Sequence, residues 1–308
     1  MLVSKKKRNI FEESCVIIRK RITDKNINTN HRIHINDGHE IYLLLQGDVS
    51  FNIEGSIYKL APNDLLIISN QEIQKAIVNK EVLHERMYIY FDPDYIDRFV
   101  RSKDYKLLQL FEDRKNGFGN KISGKHVEEY NLRKYFDEIY MWSKSNQPEK
   151  EVMMVSLLLQ LIVKINTIYT MNKDLDRDIT EGVQYNDKIY EIIRYISSNL
   201  DKKISLEELE KKFYIDRYYL CHLFKQVTGY TLVDYMNYKK VLSAKEQLKA
   251  GKPISEVWIQ FGFLNYSSFY RTFKKIVGMS PSEYSADAMK RSDLLKQDRY
   301  KREKNISL

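Results

Sequence analysis

The chain has 308 residues, room for about two domains. Hydrophobic residues make up 43% of it, an ordinary share for a globular protein, and no run of about 20 apolar residues marks a membrane span. The net charge of +9 is uneven: from Asp187 onward 23 Lys and Arg stand against 15 Asp and Glu, while the preceding residues hold 28 against 27. Excess positive charge in the C-terminal part suits a partner with a phosphate backbone. The only cysteines, Cys15 and Cys221, fall in different predicted domains, which argues against a structural disulfide and fits a reducing cytoplasm.

Residues 1–15 read as a charged, mobile leader. Met1 to Arg8 is basic, and the apolar patch after it is broken by Glu12 and Glu13, so it is no secretory signal. Residues 16–92 alternate short Val-, Ile-, Leu- and Tyr-rich runs with turn signals, a β texture. The expected strands are Val16–Arg21, His31–Ile35, Ile41–Leu45, Val49–Ile53, Ile57–Leu60, Leu65–Ile68, Lys75–Val78 and Arg86–Phe91. Turns fall at Asn36-Asp37-Gly38, Gln46-Gly47-Asp48, Glu54-Gly55 and Pro62-Asn63-Asp64. So many closely spaced strands suggest a barrel or jelly roll.

His34-x-Asn36, Glu40, Gly47 and Pro62-x-Asp64 resemble the first half of a small cupin barrel. Metal-binding cupins use a His-x-His pair, a Glu and a later His, a donor set suited to a divalent transition metal. Here Asn36 stands at the second His position and Gln74 near the last. His39 neighbours Glu40 and so points to the opposite face of its strand. No metal and no other cofactor is therefore expected. His34 and Glu40 stand as candidate effector-pocket residues, or as structural polar groups at the barrel mouth.

Residues 93–172 turn helical. Tyr95, Ile96, Phe99 and Val100 suit a short helix, and Lys106 to Glu112 another. Asn116 to Asn120 reads as a loop and Lys121-Ile122-Ser123 as a brief strand. Two long helices are then expected, one from His126 to Lys144 and one from Glu149 to Met171. The apolar stripe of the second is wide enough to want cover on more than one side, from the barrel or from a second copy of the chain. Residues 173–184 are polar, lack helical periodicity and read as the interdomain linker.

Residues 185–286 form the next block. Tyr185 to Leu200 carries Ile189, Ile192, Ile193 and Ile196 at helical spacing. Ser205-Leu206-Glu207-Glu208 is a capping box opening a helix with Leu206, Leu209 and Phe213 on its apolar face. The pattern breaks at Tyr214-Ile215. Asp216 then caps a second helix with Leu220, Leu223, Phe224 and Val227, and Gly229 stops it. Leu232, Met236, Val241, Ala244 and Leu248 suit a connecting helix. The plan then repeats: Ile254, Val257, Trp258 and Phe261, a stop at Gly262, Asn265 as cap, and a core face of Phe269, Phe273 and Val277. Gly278 stops that helix, and Ser280-Pro281-Ser282-Glu283 is a further capping box with Pro at the first helical position. Residues 287–308 read as a charged tail.

Two helix-turn-helix units in tandem, each with a basic second helix, are far more specific than one, because successive major grooves on one face of DNA lie about 34 Å apart. The stretch resembles the DNA-binding domain of AraC/XylS-type transcription regulators. The residues carrying the likeness are Lys240-Val241, Ala244, Leu248, Pro253-Ile254, Phe261-Gly262-Phe263, Phe269, Arg271, Phe273-Lys274-Lys275 and Gly278 to Tyr284. The first unit adds Leu220, Leu223-Phe224-Lys225 and Thr228-Gly229. Such regulators often carry an N-terminal cupin-like barrel that senses an effector, followed by helices that pair two subunits.

The expected fold class is thus α+β and multidomain: a small cupin-like β-barrel with following helices, then an all-α domain of two tandem helix-turn-helix units. The resemblance implies a cytoplasmic regulator rather than an enzyme. Its expected partners are double-stranded DNA, a small-molecule effector, a second copy of the chain as a homodimer and, if it activates, RNA polymerase; no membrane is expected. Alternatives are a barrel that only binds another protein, or a cupin enzyme with a DNA-binding appendix.

Removing the core positions leaves Arg217, Tyr218, Cys221 and His222 in the first unit as base-contact candidates. By resemblance, Tyr218, Cys221 and His222 fall where the family contacts bases. The second unit leaves Tyr266, Ser267, Tyr270 and Arg271. Arg271 is the strongest single candidate, since a guanidinium can pair bidentately with guanine for about 1–3 kcal/mol of discrimination. Lys225, Lys274 and Lys275 suit phosphates, which position without specifying. Glu210 and Trp258 depart from the family, which usually keeps a small residue at those places. A tryptophan there needs a larger gap, because overpacking costs about 1–3 kcal/mol.

Overall fold

The computed structural model describes residues 15–23, 38–96, 99, 105–171, 183–184, 186–202 and 204–290. The expected strand His31–Ile35, and with it His34 and Asn36, lies outside the described residues, as do most of the leader, most of the linker and the tail beyond residue 290. The chain divides into two compact units, the first drawn mainly from residues up to Asp187 and the second mainly from Lys188 onward.

The first unit is built on antiparallel strands: β1 (Val16–Thr23), β2 (His39–Gln46), β3 (Val49–Ile53), β4 (Ser56–Leu60), β5 (Leu65–Ile68), β6 (Gln74–Val78), β7 (His84–Phe91), β8 (Lys121–Ile122) and β9 (Val183–Gln184). They form a five-stranded sheet in the order β1-β7-β2-β5-β8 and a four-stranded sheet in the order β6-β3-β4-β9. Side chains alternate across each strand. Tyr42, Leu44, Leu66 and Tyr88 of the larger sheet therefore meet Val49, Phe51, Ile53, Tyr58 and Leu60 of the smaller one in a shared interior. The β3–β4 hairpin turns on Glu54 (φ 50°) and Gly55 (φ 89°), both left-handed, the two-residue turn that matches strand twist. β3 and β5 have the expected bounds, β1, β2, β4, β6 and β7 reach one to three residues further, and β8 is one residue shorter. β9 was not expected: it pairs with Ile57 and Tyr58 of β4 inside the stretch read as linker.

The opposite face of the larger sheet is covered by helices. Short helices α1 (Pro93–Ile96), α2 (Gln109–Glu112) and α3 (Gly124–Glu129) lead to α4 (Leu132–Lys144) and α5 (Lys150–Met171). The single helix expected over His126–Lys144 is two. Asn131 adopts left-handed φ 53° and ψ 44°, which a helix interior does not accommodate but a short polar side chain tolerates. The apolar spacing runs through the break, so periodicity alone does not reveal it. Ile41, Leu43, Leu65, Ile67, Ile89 and Phe91 of the sheet pack with Phe136 and Ile139 of α4 and Leu158, Leu161, Ile162 and Ile165 of α5. By length and composition α5 is apolar enough to cross a membrane, contrary to the reading that no such run exists, but half of that window is buried inside this unit. Val152, Val163 and Met171 of α5 and Met141 of α4 face outward.

One buried ion pair ties loop, sheets and helices together. Arg114 donates to both oxygens of Glu72, at 3.0 and 2.7 Å, and to the Asn120 side chain at 2.9 Å. It also reaches the carbonyls of Leu110, Phe118 and Ile67. Glu72 in turn accepts the Gly117 N–H at 2.7 Å and the Ser69 N–H at 2.9 Å. Burial alone would weaken the hold of Arg114 on its proton, but Glu72 outweighs it and raises the pKa above the ordinary arginine range. Gly117 (φ 79°) lets the loop lie against the β3–β4 hairpin: a Cβ there would sit 2.9 Å from the Ile53 carbonyl oxygen.

The second unit is all helical: α6 (Asp187–Ser198), α7 (Leu206–Phe213), α8 (Arg217–Thr228), α9 (Leu232–Lys249), α10 (Ile254–Gln260) and α11 (Tyr266–Val277), with further helix over residues 281–290. The four isoleucines expected to anchor α6 are all buried. Val241, Ala244 and Leu248 of α9 share a core with Val257, Phe261, Phe269, Phe273 and Tyr284.

Arg114→Ala leaves the Glu72 carboxylate buried without its partner, and is expected to cost about 3–5 kcal/mol. In denaturant unfolding of the full chain, the transition of the first unit should move to lower denaturant while that of the second stays in place. A loss below about 1 kcal/mol would be the value of a surface pair and would refute this role.

Candidate nucleic-acid interface

The helices of the two motifs are opened and closed by local chemistry. Ahead of α7, the Ser205 hydroxyl accepts the Glu208 N–H at 3.1 Å, one half of a capping box. The other half is replaced: the Glu208 carboxylate accepts the Tyr195 hydroxyl of α6. Tyr214 ends α7 in a left-handed conformation (φ 50°, ψ 49°). Asp216 then caps α8, accepting the N–H groups of Tyr218 and Tyr219 at 2.9 and 3.0 Å. In the second unit Asn265 accepts the Ser268 N–H at 2.8 Å to open α11, and Gly278 (φ 88°) closes it. The box after it is complete: Glu283 donates its N–H to the Ser280 hydroxyl at 3.2 Å, and its carboxylate accepts the Ser280 N–H at 2.9 Å.

The buried faces of α8 and α11 determine what they present outward. Leu220 and Phe224 of α8 are fully buried, as are Phe269 and Phe273 of α11. Arg217, Tyr218, His222 and Lys225 are exposed on α8 and Cys221 is half-buried; Tyr266, Ser267, Arg271, Lys274 and Lys275 are exposed on α11 and Tyr270 is half-buried. On each helix the candidates lie together on the face turned from the core.

Their local partners leave them available. Arg271 spends one guanidinium N–H on the Ser267 carbonyl, at 3.3 Å, out of five donors. Arg217 lies over the Tyr218 ring at 5.1 Å and 3.6 Å from Glu207, an exposed pair of little net strength. Lys274 lies 5.6 Å from the Tyr270 ring centre. Exposure adds Tyr219 and Gln226, which core subtraction passed over. Both follow from spacing, since they stand three before and four after His222 on one helical stripe.

The two departures from the family are both half-buried. Glu210 turns its carboxylate to the Arg217 N–H at 3.3 Å and so helps cap α8. Trp258 is half-buried at the rim of the core formed around Val257, Phe261 and Phe269.

In the first unit, Glu40 is buried and accepts the Gln74 amide at 2.6 Å, joining two of the positions that the cupin likeness picked out. His39 lies on the opposite face, as expected, stacked on Phe111 with ring centres 4.5 Å apart. His34 lies outside the described residues, so its meeting with Glu40 is not observed.

Comparison with known proteins agrees with this division. A family model described as an AraC-like ligand binding domain matches residues 20–162, and one described as a helix-turn-helix domain matches residues 209–287. The transposon Tn10 TetD protein of Escherichia coli is 31% identical over 109 residues, covering 33% of this chain and 79% of that protein. YdiP of Escherichia coli, described as an uncharacterized HTH-type transcriptional regulator, is 25% identical over 264 residues, covering 83% of this chain and 80% of its own length. The regulatory protein SoxS of Escherichia coli is 28% identical over 97 residues, covering 31% of this chain and 91% of SoxS. The chain belongs to the AraC family of transcription regulators, with an N-terminal ligand-binding domain ahead of a helix-turn-helix DNA-binding domain.

Proposed function

We propose that α8 and α11 are the two DNA-reading helices, lying in successive major grooves of one duplex. Arg217, Tyr218, Cys221, His222, Tyr266, Ser267, Tyr270 and Arg271 meet base edges, and Lys225, Lys274 and Lys275 meet phosphates. The observation that carries this is the division of each helix into a buried apolar face and an outward face holding these residues. The connecting helix α9 has 18 residues. At about 1.5 Å per residue it is roughly 27 Å long, a rigid spacer on the scale of the groove repeat.

The first unit senses a small molecule, and its occupancy shifts the population of DNA-competent molecules. An effector moves that balance only by its differential affinity for the two arrangements. The outward apolar positions of α4 and α5, Met141, Val152, Val163 and Met171, support pairing with a second copy into a homodimer. The protein works in the cytoplasm as a regulator rather than an enzyme, with no cofactor, and contacts RNA polymerase where it activates. The segment at 173–184 is the join between a sensing part, residues 16–172, and a DNA-binding part, residues 185–286.

Genome-wide capture of bound fragments should enrich a defined site. In gel shifts on that site, Arg271→Ala should cost about 1–3 kcal/mol and relax the preference at one base pair. Lys274→Ala should instead weaken binding to all sequences alike and lower the slope of log K against log salt by about 1. Failure to enrich any site, with only salt-sensitive binding to arbitrary DNA, would overturn the reading.

A further inference from the structure

The interior face of the larger sheet carries a positive charge that no carboxylate of the described residues answers. Arg86 of β7 is 8% exposed. Its guanidinium donates to the Thr23 hydroxyl at 3.0 Å and to Nδ1 of His84 at 3.1 Å. Both are neutral acceptors. A guanidinium only donates, so Nδ1 of His84 is the unprotonated nitrogen and Nε2 carries the hydrogen, 2.8 Å from the Tyr42 oxygen. His84 is therefore uncharged in this arrangement.

No carboxylate of the described residues forms an ion pair with Arg86. Glu85, its neighbour, points to the other face and pairs with Lys20 at 2.8 Å. Glu40 shares the interior face, but it pairs with Tyr90, whereas Arg86 lies opposite Leu44. Four residues along a strand is roughly 13 Å. Its carboxylate is also engaged by Gln74.

The register adds to the imbalance. Arg21 of β1 stands directly opposite Arg86, and Arg19 directly opposite Tyr88. Directly opposed residues share a face, and like charges so placed destabilise a sheet. Arg21 lies over the Tyr88 ring at 5.7 Å. Burial lowers the pKa of Arg86 and Arg21 lowers it further, against the phenols of Tyr42, Tyr88 and Tyr90. A buried guanidinium without a counter-ion is costly. It sits one strand in from β1, the outermost described strand of that sheet, beside the exposed Arg19 and Arg21.

We propose that this face is an anion site of the sensing domain, and that the effector is a small organic monocarboxylate whose charged end is anchored by Arg86 and Arg21. Guanidinium groups bind carboxylates through paired, charge-assisted hydrogen bonds. Arg19 stands one step along the same face. The Tyr88 ring, which lies under Arg21, borders these guanidinium groups. A single charge fits this setting better than the double charge of a phosphate, because the cost of burying charge rises with its magnitude. The assignment deepens the reading of the first unit as an effector sensor and rests on it.

The test is titration calorimetry on the full-length protein with hexanoate and phenylacetate, beside hexanamide, phenylacetamide and inorganic phosphate. The expected result is saturable binding of at least one carboxylate, with its amide and phosphate each about tenfold weaker or worse. Arg86→Met should raise the dissociation constant about tenfold or more. Arg21→Met, a change at an exposed position that leaves the core intact, should do so as well. Arg271→Ala on the reading helix should leave carboxylate binding unchanged. An amide that binds as tightly as its acid, with Arg86→Met unaffected, would keep an effector domain and overturn the anion anchor. Absence of binding by both carboxylates to the wild type would overturn it too, as would tighter binding of phosphate. Gel shifts on the same preparations separate the two readings: lost DNA recognition with carboxylate binding intact counts against the DNA assignment alone.

Discussion

The first unit depends on the contact between Arg114 and Glu72. Neither residue is in a regular strand or long helix, yet their side chains join the β5–β6 turn, the loop before β8 and the end of α2. A buried pair of this kind yields little net stability over an apolar equivalent, since both ions lose their water. Its force lies in what happens when the arrangement slips: either charge alone in that interior is expensive, so the loop has one place to be. The Gly117 N–H and the Asn120 amide, both bound to Glu72, make the same demand on the backbone. With that loop placed, β8 reaches β5 and the chain enters the helical layer that covers the larger sheet.

What was legible in the sequence follows from the range of the forces involved. The strands of the first unit were readable because their turns use residues with local preferences, such as Glu54-Gly55 and Asn63, which takes φ 70°. The helix starts in the second unit were readable because Ser205, Asp216, Asn265 and Ser280 act within three residues of themselves. The Arg114–Glu72 contact spans 42 positions and leaves no periodic trace. Asn131 breaks a helix inside an unbroken apolar pattern, because the spacing of core residues says nothing about a left-handed backbone angle. The pairing of β9 with β4 was hidden for a similar reason: two residues on a sheet edge need only backbone groups. Of the candidate sites, the outward faces of α8 and α11 were legible because subtraction of a helical core is a local operation. The arginines of the sheet interior were not, since their being opposed depends on the register of β1 against β7.

In the second unit the shared helix α9 explains how two similar motifs behave as one body. Its side chains are buried along most of its length, including Tyr235 toward α8 and Val241, Ala244 and Leu248 toward α10 and α11. Lys239 and Lys245 are buried on it too, and the Lys245 ammonium lies 5.7 Å from the Tyr284 ring. Long aliphatic stems let such residues line a core while the charged head finds an aromatic face or a polar neighbour. Glu210 reaches across its motif to the first N–H of α8, and Trp258 packs against the shared core from a half-buried position.

The two thiols sit in opposite chemical settings. Cys15 is buried and donates to the Glu151 carboxylate at 3.0 Å, and burial together with that negative neighbour pushes its pKa far up. Only a thiolate attacks an electrophile, so Cys15 is slow toward alkylating reagents. Cys221 is half-buried on the outward side of α8 among Tyr218, His222 and Lys225. The natural chain thus offers one addressable sulfur at the surface assigned to DNA. A fluorophore or spin label coupled there would report occupancy of that surface without engineering away a second cysteine.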